Sequence, residues 1–81
     1  MSARPRPLSV DDRAINLTQV LKRAGWAGTG GEAKALIAGG RIRVNGVLES
    51  RKRRKMALGD CVAMDDGPSL VLVGNPPLPS D

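Results

Sequence analysis

Leu17, Val20, Leu21 and Ala24 recur at i, i+3, i+4 and i+7, a spacing that predicts a helix with all four on one face. Asn16 stands before this stripe as a candidate N-cap, Gln19 takes the third helical position, and Gly25 supplies the stop. Ala33, Leu36 and Ile37 give a second short helix its apolar face, and Gly39-Gly40 ends it. Beyond that point the period becomes two. Ile42 and Val44 alternate with Arg41 and Arg43, which predicts a strand carrying both arginines on one side. Asn45-Gly46 predicts a type I′ hairpin turn, since both central residues of that turn need positive φ, and Val47-Leu48 begin the return strand. Leu58 to Asp60 reads as a turn into a strand over Cys61–Met64, and Asp65 to Pro68 as another turn, into a strand over Leu70–Val73.

This order predicts an α+β domain over residues 14–73, with two short N-terminal helices packed on a small antiparallel sheet. Residues 1–13 carry Pro5 and Pro7 among polar and charged side chains and are expected to be a flexible tail; residues 74–81 are expected to be a disordered, proline-rich one.

Composition narrows the chemistry. The single cysteine, Cys61, excludes an intrachain disulfide, and its apolar neighbours predict burial. With no histidine there is no ligand cluster for zinc or a transition metal, and neither a metal nor another cofactor is expected. The N-terminal stretch lacks the apolar core of a signal peptide and no run reaches membrane-spanning length, so a cytoplasmic protein is expected. Thirteen Lys and Arg oppose eight Asp and Glu, for a net charge of +5, which points to a polyanionic partner, nucleic acid ahead of a membrane surface. There is no Phe or Tyr, and Trp26 is the only aromatic residue, so serial stacking of bases on several rings is excluded.

The stretch Gly28 to Ala33, "GTGGEA", matches the glycine spacing of a dinucleotide fingerprint, but that fingerprint requires a preceding strand and a βαβ unit. Here a helical pattern precedes it. Thr29 and Glu32 account for the stretch as a capping box, each bonding the other's amide. Gly30 and Gly31 leave the first turn bare enough for a phosphate oxygen to approach. The stronger feature is basic: Arg41, Arg43 and the unbroken run Arg51, Lys52, Arg53, Arg54 and Lys55, with Glu49 the only acid among them. Without neutralising neighbours, these cations are expected to converge on one surface and to bind nucleic acid. Neither helix carries side chains suited to reading base edges, which favours backbone and shape recognition of folded or duplex RNA. Catalysis is not expected, and Asp65-Asp66 reads as part of a turn.

Several of these features in sequence resemble a known family. Gly25-Trp26, the "GGEAKALI" helix, the "VNG" turn and the "ESRKRRK" run, in this order between about Leu17 and Val73, resemble the alpha-L RNA-binding motif of ribosomal protein S-four, in particular its small stand-alone bacterial YbcJ-like members. The resemblance implies a non-enzymatic domain that binds structured, commonly ribosomal, RNA. It also implies an RNA surface of Thr29, Gly30, Gly31, Lys34, Arg41, Arg43, Asn45 and Arg51 to Lys55. Many alpha-L domains carry an arginine where this chain has Asn16, and a serine-arginine pair where it has Thr29-Gly30, so those two contacts do not carry over. The expected protein is a monomer with RNA as partner and no small-molecule substrate or membrane. The alternative is a ribosome-associated adaptor or assembly factor whose main partner is a protein.

Overall fold

The computed structural model describes residues 5–10, 15–65 and 67–74. Its elements are β1 (Arg6–Val10), β2 (Ile15–Asn16), α1 (Leu17–Arg23), α2 (Gly30–Ala38), β3 (Ile42–Val44), β4 (Val47–Leu48), β5 (Lys55–Met56), β6 (Cys61–Met64) and β7 (Ser69–Gly74).

Both helices begin and end where local chemistry dictates. At the start of α1 the Asn16 side chain accepts from the Gln19 amide and the Gln19 side chain accepts from the Asn16 amide, each at 2.9 Å. At its end Gly25, at φ +79°, donates to the Lys22 carbonyl while Trp26 donates to that of Leu21. The same pair of bonds closes α2, from Gly40 at φ +73° to Ile37 and from Arg41 to Leu36. Each is a Schellman closure, which satisfies carbonyls that a short helix would otherwise leave bare.

The larger sheet has the order β1-β7-β6-β3-β4, and β2 pairs with β5 in a separate two-stranded ladder. Asn45 and Gly46 adopt φ of 53° and 83°, as the hairpin turn requires. On β3, Ile42 and Val44 are buried and Arg43 is exposed, so one face of the sheet meets the helices. Leu17, Val20 and Leu21 of α1, and Ala33 and Ile37 of α2, close over Val62, Leu70 and Leu72. Burial of each such Leu, Ile or Val contributes about 1.5–3 kcal/mol, which short helices need because propensity alone leaves them marginal.

Three expectations are corrected. Part of the supposed N-terminal tail is a strand: β1 runs parallel to β7, with Arg6 opposite Leu70 and Val10 opposite Gly74. The sheet is therefore mixed rather than wholly antiparallel. Leu8 and Val10 alternate inward, and an edge strand tolerates Pro7 where an inner one would not. Cys61 is only half-buried. Asp66 and residues 75–81, including most of the expected C-terminal tail, lie outside the described residues.

Candidate nucleic-acid interface

Glu49 organises the basic run. It follows β4, and its backbone amide donates to the Ile42 carbonyl at 3.0 Å, which carries its side chain into the interior. The residue as a whole is 6% exposed. Oε2 accepts from the Ser50 amide, the Arg51 amide and Arg51 Nε at 3.0, 3.0 and 3.2 Å. Oε1 accepts from Arg51 Nη2 at 3.3 Å and Arg54 Nη1 at 2.7 Å. These bonds, from Arg51 and then Arg54, outweigh the opposing cost of burial and hold the carboxyl down to about 2. The expectation that the cations lack neutralising neighbours is thus overturned for Arg51 and Arg54, and also for Arg41, which pairs with Asp65. Arg54 Nε, also buried, has no hydrogen-bond partner among the described residues.

The backbone of the run is held as firmly. Thr18 donates to the Lys52 carbonyl through its amide at 3.2 Å and its Oγ1 at 2.8 Å, and the Leu17 amide donates to the Arg54 carbonyl at 2.9 Å. The first free amides of α1 are satisfied by carbonyls of the run, which continues into the β2–β5 ladder at Asn16 opposite Lys55. The run is a tethered ledge across the start of α1. Ser50 to Lys55 surround one open concavity, and Lys52, Arg53 and Lys55 are exposed around it. Among the described residues, none of these three side chains has a hydrogen bond or ion pair.

The other candidate residues occupy different elements. Arg43 is exposed on β3, opposite Leu48 and Ala63. Arg41 Nε pairs with Asp65 Oδ1 at 3.3 Å. Asn45 is committed to the fold: its Nδ2 donates to Asp60 Oδ1 at 3.1 Å, and its Oδ1 accepts from the Cys61 amide at 2.9 Å. Lys34 is exposed on α2. At the start of that helix Thr29 Oγ1 accepts from the Glu32 amide at 3.1 Å, as expected. The Glu32 carboxylate, however, accepts from the Gly28 amide at 3.1 Å rather than from that of Thr29. A side chain added at Gly30 would meet nothing within 4 Å, so the first turn is bare. Sequence reasoning missed the organising role of Glu49 and Thr18. The one signal for Glu49 was an acid placed beside five consecutive cations.

The profile of the S4 domain matches residues 8–72. The chain belongs to the S4 domain family. Within it, the chain is 41% identical over 49 residues to YbcJ of Escherichia coli (strain K12), whose name proposes RNA binding; the match covers 60% of this chain and 70% of that one. It is 36% identical over 59 residues to RlbA of Bacillus subtilis (strain 168), whose name proposes a part in ribosome maturation, covering 73% of this chain and 83% of the other. The solution structure of E. coli YbcJ, described as an alpha-L motif involved in RNA binding, superposes with a TM-score of 0.66 at 33% identity, covering 88% of this chain and 90% of that one. The two helices on a mixed sheet are thus the alpha-L arrangement of an S4 domain. Among the described residues no helix is long and apolar enough to cross a membrane.

Proposed function

We propose that this S4 domain binds structured RNA, ribosomal RNA foremost, through the ledge of Arg51 to Lys55. The single observation that carries this reading is the tethering of the run: its backbone is fixed to α1, while Lys52, Arg53 and Lys55 stand exposed. With its backbone fixed before binding, the run loses less conformational entropy when its cations meet phosphates, and a row held in place suits the regular backbone of a duplex. Thr29, Gly30, Gly31 and Lys34 at α2, with Arg41 just before β3 and Arg43 on it, extend the surface. Asn45 shapes the hairpin rather than touching RNA. The names of YbcJ and RlbA support the partner class and its link to the ribosome.

The test is titration of a labelled RNA duplex at several salt concentrations. Log affinity should fall with log salt by roughly 0.7–0.9 per phosphate contact. Absence of binding at low salt rules the reading out. RNA-mediated association with ribosomal particles should disappear after nuclease treatment; persistence would favour an adaptor whose main partner is a protein.

A further inference from the structure

The ledge occupies the N-terminal end of α1, and a second concavity opens at its other end. Arg6 and Leu8 of β1, Arg23 and Ala24 at the close of α1, Leu70 of β7, and Trp26 surround a cavity of about 200 Å³. Strand alternation places Arg6 on the same face as Leu8 and Val10, at the outer margin of the core and beneath the end of α1. Arg23 also lines the cavity. Among the described residues no acidic side chain lines it, and neither arginine has a hydrogen bond or ion pair. Trp26 is half-buried against the core and also walls a neighbouring concavity with Leu36.

We propose that this cavity takes one unpaired nucleotide of a bound RNA, its base against the Trp26 indole and its phosphate between Arg6 and Arg23. The inference rests on the RNA-binding reading and adds a second, separate contact to it. An indole beside two unpaired guanidiniums matches a nucleotide in both parts: an aromatic wall for a base and paired forks for a phosphate. The cavity is large enough for a base, and its apolar floor of Leu8, Ala24 and Leu70 repels water from the stacked ring. Besides the two arginines, Ser69 is the one other polar side chain among the described lining residues, so little is present to select one base over another. The seven residues of α1 separate cavity and ledge by about 10 Å, so one folded RNA reaches both. A single ring does not make the serial stacking platform that composition excludes. It holds one base beside a duplex held elsewhere.

Trp26 is the only aromatic residue, so intrinsic fluorescence reports on this one side chain, and replacing Arg6 and Arg23 tells this cavity from the neighbouring one. The full chain is titrated with a short single-stranded oligoadenylate, a hairpin bearing one bulged adenosine, the same hairpin without the bulge, adenosine monophosphate, and polyglutamate, while labelled-RNA anisotropy follows binding independently. The oligoadenylate and the bulged hairpin should quench Trp26, and the unbulged hairpin should bind without quenching. The variant Arg6→Ala/Arg23→Ala, with its fold checked by circular dichroism, should weaken oligoadenylate binding about tenfold or more and leave the unbulged hairpin unaffected. Quenching by adenosine monophosphate alone, with none from the bulged hairpin, would assign the cavity to a free nucleotide and overturn the proposal. So would binding of the bulged hairpin with unchanged fluorescence, a quenching midpoint that the double substitution leaves unmoved, or equal quenching by polyglutamate. Those results leave the ledge reading intact, because anisotropy with the unbulged hairpin measures it separately. Failure of every RNA to bind overturns both.

Discussion

Glu49 and Asp65 both hold arginine, yet the Glu49 side chain is 8% exposed and that of Asp65 is 42% exposed. Around Glu49, five donors from Ser50, Arg51 and Arg54 converge, two of them backbone amides, so the carboxylate fixes the course of the chain as well as two side chains. The Asp65 side chain, among the described residues, meets one donor, Arg41 Nε at 3.3 Å, and both side chains are exposed. Water competes for the second pair and is largely excluded from the first. The same residue types therefore build a scaffold in one place and a loose surface pair in the other. Arg51 and Arg54 are partly spent on structure, which leaves Lys52, Arg53 and Lys55 as the cations most open to phosphate.

The sharpest way to break this contrast is Glu49→Ala. Removing one partner of a buried network leaves Arg54 and two backbone amides without their acceptor, and a loss of about 2–4 kcal/mol is expected from denaturant unfolding. RNA affinity should fall with it, since the ledge loses its fixed course. A loss below about 0.5 kcal/mol would place Glu49 with Asp65.

Acid titration probes the same difference without a substitution. The folded-state pKa of Glu49, about 2, lies below the ordinary value of 4.5, so its stabilising contribution is fully present above the ordinary value. It is lost as pH falls from there through the folded value. Glu49→Gln should flatten the stability profile between those limits, and an unchanged profile would contradict the assignment.

Substituting Lys52→Ala/Arg53→Ala separates binding from scaffolding. Affinity for duplex RNA should drop about tenfold, and the salt slope by about 1.4–1.8 for two lost contacts, with the unfolding midpoint unchanged. Replacing Arg51 and Arg54 would confuse the two effects. Thr29→Ala removes an N-cap and should cost about 1 kcal/mol. Asp65→Asn should move stability by less than about 0.5 kcal/mol, the smallest effect of the series.

Local chemistry was legible along the chain wherever a residue acts on its immediate neighbours. The Asn16–Gln19 capping box, the Gly25 and Gly39-Gly40 stops, the Asn45-Gly46 turn and the inward Ile42 and Val44 all follow from spacing and backbone preference. The order of motifs also pointed to the alpha-L family. At "GTGGEA" the cap was legible through Thr29, whereas the exact acceptor geometry of Glu32, on Gly28, was not.

What only tertiary structure decided involves partners distant in sequence. β1 has two prolines at and beside it and no strong strand pattern of its own; β7, more than sixty residues on, makes it a strand. The run Arg51 to Lys55 reads as a loose charged loop until Thr18 and Leu17 seize its carbonyls from across the chain. Glu49 reads as a stray acid until the β3–β4 hairpin carries it out of water. Burial and long-range hydrogen bonding set the strength of a charge interaction, and neither is encoded in the residue's own position. Sequence alone thus determined how much positive charge the protein carries and which local motifs flank it. The tertiary structure decided which of those charges are held as scaffold and which are left to meet a partner.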